Sequence, residues 1–203
     1  MKRFAALAVA VLLFISLASA QTLTKAERDK AIKHLQKTEK MFLRSISKIS
    51  DAQYNWKPAP ERWSVAECAE HLALTEDLIY KMITEQLLKA PAAPEKKAEV
   101  AGKDDLVLEK IADRSQKFNA PEMIQPKRTF ATRDELVKHF KASRARLAQY
   151  VKSTNDDLRV HFQEHPVMKL LDAYQWVLLN SAHTERHTKQ ILEVKAEAAF
   201  PKK

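Results

Sequence analysis

Glycine is nearly absent: Gly102 is the single one among 203 residues. Phosphate loops and dinucleotide-binding turns need several glycines for tight turns and close backbone approach. A β-sandwich needs them at many hairpins. Both architectures are excluded. Cysteine is equally scarce, and a lone Cys68 cannot form an intramolecular disulfide, so the fold is not a disulfide scaffold. After residue 20 no apolar run is long enough to cross a bilayer. What is present favours helix. Alanine, lysine, leucine and glutamate dominate, with 45% hydrophobic and 30% charged residues, an ordinary globular balance. The length suits one domain with enough chain to bury a core.

The first twenty residues read as a secretory signal peptide. Met1-Lys2-Arg3 gives a positive start, Phe4 to Leu17 is almost wholly apolar, and Ala18-Ser19-Ala20 is a small-residue exit, placing cleavage before Gln21. The expectation is an exported protein, periplasmic or secreted, with residues 21–203 as its domain and no membrane anchor after cleavage. Residues 1–20 carry Lys2 and Arg3 and no acid, so their removal lowers the net charge from +9 to +7. The remaining basic residues alternate with acids, as in Lys25, Glu27, Arg28, Asp29 and Lys30. That pattern describes solvated helix faces and not a nucleic-acid surface.

Four long amphipathic segments follow. The first spans about Thr24 to Ser50, with an apolar stripe of Ile32, Leu35, Phe42, Ile46 and Ile49. The second spans about Ser64 to Lys89, with Cys68, His71, Leu72, Thr75, Leu78, Ile79 and Met82 on its stripe. The third spans about Thr132 to Ser153 (Leu136, Phe140, Leu147, Val151). The fourth spans about Asp172 to Ala198 (Trp176, Leu179, His183, His187, Ile191, Val194). Thr24–Glu27, Ser64–Glu67 and Thr132–Glu135 fit capping boxes, in which side chain and backbone satisfy each other at a helix start. The second connection, residues 90–131, is long and proline-marked, with a short helix expected near Asp105–Lys117; residues 154–170 form a further connection. These elements predict an all-α four-helix bundle. The short first link predicts that helices one and two are antiparallel neighbours. The long second link allows a crossover that leaves helices two and three parallel.

His183 and His187 stand four residues apart, which stacks both imidazoles on one inward helix face within reach of one ion. His71 lies on the inward stripe of the second helix. Neutral imidazoles suit Zn²⁺, Ni²⁺, Fe²⁺ or Mn²⁺, and hydrogen-bonded core histidines are the simpler alternative. HExxH is absent, which removes a zincin protease. No general base is evident. Glu185 points away from the pair and is expected at the surface beside lysine or arginine, and Glu67 is occupied with capping. Asn180, Thr75 and Gln190 are candidates for orienting ligands, with core-edge polar roles as the alternative. Cys68 reads as a small core residue. His34, His139, His161 and His165 fall off the inward stripes or in loops, and Trp56 and Trp63 read as hinge packing.

The stretch from His165-Pro166 through Tyr174-Gln175-Trp176 to Ala182-His183-Thr184-Glu185-Arg186-His187-Thr188-Lys189-Gln190-Ile191 resembles the closing motif of the DinB-like family. Trp63-Ser64-Val65-Ala66-Glu67-Cys68-Ala69-Glu70-His71-Leu72 resembles that family's second-helix signature. The resemblance implies an up-down-down-up four-helix bundle, often homodimeric. It also implies a divalent metal held by His71, His183 and His187, zinc being slightly favoured. Some relatives are thiol-dependent transferases or isomerases using bacillithiol, mycothiol or glutathione. This chain departs from them after His165-Pro166, where Val167, Met168 and Lys169 replace an early glycine, and in its leader, because low-molecular-weight thiols are mainly cytosolic. Three neutral ligands would leave the ion its full charge, to activate water for hydrolysis or a thiol for transfer of a small-molecule substrate. A non-catalytic bundle stapled by its metal and a metal-free small-molecule binder are the other two readings.

Overall fold

The computed structural model describes residues 22–202; the expected signal peptide lies outside them. Helix α1 covers Lys25–Ile46 and opens on a complete capping box between Thr24 and Glu27. Lys48 turns the chain with a positive φ, and a one-turn α2, Asp51–Asn55, follows. Helix α3, Val65–Lys81, is capped by Ser64 and Glu67. Its path continues without a break to Lys89, but the winding widens to π over Met82–Gln86 and then tightens to 3₁₀ over Leu87–Lys89. The sequence therefore anticipated the extent of this segment but not its change of pitch.

The crossover carries α4, Lys97–Val100, and α5, Lys103–Ala112, with Gly102 at φ +75° between them. The lone glycine stands where the backbone needs the left-handed region. A 3₁₀ turn at Glu122–Ile124 follows. Helix α6 covers Arg133–Ser153. Its expected capping box is half formed: Thr132 accepts from the Glu135 amide, but Glu135 turns its carboxylate to the Ala131 N–H instead. Residues 154–170, read as a plain connection, contain a β-hairpin. Strands β1, Phe162–His165, and β2, Lys169–Asp172, pair antiparallel with His165 opposite Lys169. Helix α7, Ala173–Lys195, starts on a box between Asp172 and Gln175.

Each of α1 and α3 packs against both α6 and α7. Helices α1 and α3 therefore face each other across a diagonal, which corrects the expectation that a short link makes them direct neighbours. The residues between them carry the chain across the end of the bundle. Side-chain pairs give the directions. The Tyr174 hydroxyl donates to the Glu27 carbonyl and Lys195 to the Ser45 carbonyl, so α1 and α7 run parallel. Arg28 donates to the Val151 carbonyl while Phe42 meets Phe140 at 4.6 Å, so α1 and α6 are antiparallel. Asp77 accepts from Ser143 and Tyr80 meets Tyr150, so α3 and α6 are parallel. The bundle directions are up, down, down, up. Parallel α3 and α6 need a return path along the length of a helix, and α5 lies against α7 on that path.

One apolar cluster centres on Leu35, Ile83, Leu147, Tyr174 and Leu178, and another on Phe42, Leu72, Phe140 and Ile191. A charge sits inside the bundle as well: Arg144 of α6 and Glu76 of α3 are both buried and ion-paired. Among the described residues no helix is long and apolar enough to cross a membrane.

Candidate metal centre

Helix α3 presents His71, and the antiparallel α7 presents His183 and His187 one turn apart. The ligand atoms of the three rings all lie within 4.8 Å of one another, the one such His/Cys/Asp/Glu group among the described residues. Ring centroids are separated by 4.9 Å (His71–His183), 4.5 Å (His71–His187) and 4.4 Å (His183–His187). His71 and His187 are buried and His183 is half-buried.

Hydrogen bonds fix which nitrogens face inward. His71 donates its Nδ1–H to the Ile124 carbonyl, 2.8 Å away in the crossover. His187 donates its Nδ1–H to Gln190 Oε1, also at 2.8 Å. Each neutral ring then carries a bare lone pair on Nε2. The Nε2 atoms of His71 and His183 stand 3.2 Å apart. Two nitrogens bound to one tetrahedral zinc at 2.0–2.1 Å would stand about 3.3 Å apart. His183 Nδ1 is buried with no protein partner. Converging imidazole nitrogens with fixed outer hydrogen bonds are the donor set a divalent transition ion takes, and the residues fit such an ion.

Electrostatics keep the rings in the ligating form. Burial lowers the pKa of His71 below its usual 6.5, against the opposing pull of the Ile124 carbonyl. Burial, and then the neighbouring imidazoles, hold His183 well below that value. His187 is lowered well below it too, by burial and then by His71, against its bond to Gln190. Among the described residues no carboxylate bonds to any of the three rings.

Trp63, expected as hinge packing, walls the site instead, at 4.9 Å from the His71 ring and 6.0 Å from that of His187. Trp56 does pack at the bundle end, on Phe200. Of the candidate orienting residues, Gln190 contacts a ligand ring directly. Thr75 donates to the His71 carbonyl, and Asn180 donates to Glu76. Cys68 is fully buried and outside the cluster, its thiol pushed up by burial. Glu185 bonds to Lys189 and Lys37 as expected, but its side chain is only 15% exposed and lies against α1, not free on the surface. His34 bonds to Ser181, His139 to Asp77, and His165 takes the amides of Val167 and Met168 on Nδ1 while packing on Trp176.

Sequence reasoning missed the supports that come from the crossover. Glu70, beside His71, accepts the N–H groups of Lys127, Arg128 and Thr129 at 2.7–3.0 Å and so pins the end of that segment. Arg186, beside His187, donates to the carbonyls of Asp113 and Gln116. Both residues flank a ligand histidine in sequence, and that adjacency was the available signal.

The fold and chain have known counterparts. The solved structure of YfiT from Bacillus subtilis, described as "a probable metal-dependent hydrolase with an unusual four-helix bundle topology", superposes with a TM-score of 0.54 over 89% of this chain and 93% of its own. At 16% identity that likeness is one of fold. The uncharacterized protein YuaE of Bacillus subtilis (strain 168) is 29% identical over 147 residues, which cover 72% of this chain and 86% of that protein. The model of the DinB superfamily matches residues 34–191, a span that runs from α1 to the last turns of α7 and includes all three histidines. The chain belongs to the DinB superfamily.

Proposed function

We propose that this protein is an exported, metal-dependent hydrolase of small molecules, with a divalent ion held by His71, His183 and His187. The observation that carries the reading is the convergence of three imidazoles whose outer nitrogens, on His71 and His187, are already committed to Ile124 and Gln190. When bound, a divalent ion with three neutral ligands keeps its full charge and acidifies a coordinated water toward a pKa of about 7. The chain's own residues do the rest. Ile124 and Gln190 stop two rings from rotating. Trp63 closes one side of the site. The YfiT description supports hydrolysis, and a leader that directs the chain away from cytosolic thiols disfavours thiol transfer. Three imidazole donors suit zinc among the divalent transition ions.

The missing general base favours a second reading, a metal that only ties α3 to α7. Elemental analysis of untagged protein tests the shared premise. About one transition metal per chain is expected, lost in His183→Ala and in His187→Ala. Protein that stays metal-free after refolding with Zn²⁺, Ni²⁺ or Mn²⁺ overturns both readings. Screening esters and amides with metal-loaded protein separates them: turnover abolished by chelator while the helices persist supports the hydrolase, and its absence supports the staple.

A further inference from the structure

Gln190 does two jobs with one atom. Its Oε1 accepts the His187 Nδ1–H at 2.8 Å and also an N–H of Arg114 at 3.2 Å. Arg114 lies just beyond α5 in the crossover. It is held in place by Glu193, whose two carboxylate oxygens take Nε–H at 3.0 Å and an Nη2–H at 2.6 Å. A carboxamide has an oxygen at one end and an NH₂ at the other, and the two are nearly equal in size. Turned over, Gln190 would present donors to His187. The imidazole would then accept on Nδ1 and carry its proton on Nε2, the atom that must be bare to bind a metal.

Arginine has five donors and no acceptor. The amide atom that meets Arg114 must therefore be oxygen, and a turned amide would set NH₂ against a guanidinium. We propose that Arg114 is a positioning residue: it locks the Gln190 amide with oxygen toward His187 and thereby holds His187 in the tautomer that ligates. Two parallel hydrogen bonds to Glu193 fix the plane of the guanidinium, which makes the lock directional and not a matter of charge alone. The crossover thus governs two of the three rings, His71 through the Ile124 carbonyl and His187 through Arg114.

This inference rests on the metal-binding reading, and a measurement on metal-free protein keeps the two apart. Nitrogen-15 NMR of the imidazoles distinguishes Nδ1–H from Nε2–H rings. Wild type should show His187 as Nδ1–H, and Arg114→Ala should show a substantial Nε2–H population. Zinc affinity, measured by competition with a chromophoric chelator, should fall in Arg114→Ala in step with the competent fraction, roughly 3- to 10-fold when two-thirds to nine-tenths of the rings carry Nε2–H. Arg114→Met keeps the bulk of the side chain and should behave alike, which covers a failure of the alanine variant to fold. The decisive comparison uses Gln190→Glu. A carboxylate presents oxygen whichever way it turns, so in that background removal of Arg114 should change affinity less than about twofold. A tautomer unchanged by removal of Arg114 overturns the proposal, as does an equal affinity loss in both backgrounds. Wild-type protein that fails to take up zinc overturns the metal reading, while the NMR comparison still decides on the lock.

Discussion

The ion pair inside the bundle gives a sharp test of how this fold is held. Arg144 and Glu76 each expose about 1% of their side chains. Glu76 is the one anion paired with Arg144 among the described residues. The guanidinium also bonds to the hydroxyls of Thr184 and Thr38 and the Leu35 carbonyl, and lies 5.2 Å from the Phe140 ring. Burial pushes the Glu76 carboxyl above its ordinary value, opposed first by the charge of Arg144 and then by hydrogen bonds from Asn180 and Thr184. Replacing Glu76 by alanine leaves a buried, unneutralised guanidinium and frees Asn180 Nδ2. Breaking a buried pair from one side costs about 3–5 kcal/mol. In a domain of this size that is a fall of roughly 6–20 °C in melting temperature. Removing both charges with residues of similar volume, Glu76→Leu with Arg144→Met, should recover a large part of that loss, because no charge is left unpaired and the main remaining cost is the unpartnered Asn180 Nδ2, about 1–3 kcal/mol. Urea unfolding followed by circular dichroism measures both, as a shift of midpoint at constant slope. A single variant that loses less than about 1 kcal/mol, or a double variant that loses as much as the single, would refute the reasoning.

Two shorter predictions come from the clasp between α3 and α6 and from the wall of the site. Burial works to raise the Asp77 pKa but is outweighed by hydrogen bonds from Ser143 and His139 and by the charges of His139 and Arg146, so the folded value lies below 3.8. Its stabilising contribution is complete above pH 3.8 and disappears as pH falls through the lower folded value, because the unfolded chain takes up the proton first. Thermal melts should therefore show the gap between wild type and Asp77→Asn closing as pH is lowered from 5 toward 3, and a gap independent of pH would contradict the assignment. Trp63 sits against the His71 and His187 rings, so Co²⁺ or Ni²⁺ added to metal-free protein should quench its fluorescence, and most of the quench should vanish in Trp63→Phe. A quench of undiminished size in that variant would place the ion elsewhere.

Local signals carried the helices. Thr24, Ser64 and Asp172 start α1, α3 and α7 because a cap and its reciprocal partner lie within three residues of each other. Inward stripes named Leu35, Phe42, Phe140 and Ile191, all fully buried. Pairing across distance was less visible. Strands β1 and β2 have four residues each and bury them without alternation, so Phe162–His165 and Lys169–Asp172 left no period to read. Arg144 occupies the stripe position between Phe140 and Leu147, and Glu76 lies beside Thr75 on α3. Nothing local marks either charge as buried, because the partner lies across the bundle.

The histidine site divides the same way, and the division follows from topology. His183 and His187 are one helical turn apart, so their stacking was legible in sequence, and His71 followed from its stripe. Of what commits their outer nitrogens, Gln190 was already a candidate in the sequence, but a carbonyl at Ile124 has no sequence signature and Arg114, behind Gln190, is one of many basic residues. Both belong to the crossover, which exists because α3 and α6 point the same way and the chain must travel back between them. An up-down-up-down bundle with tight turns would have no such segment to lay over its histidines. Here the return path brings α5 against α7 and Ile124 onto His71, and Glu70 then pins it through three backbone amides. The parallel pair of helices thus supplies a third element at the site, one that fixes the His71 ring, which two helices alone would leave free to turn.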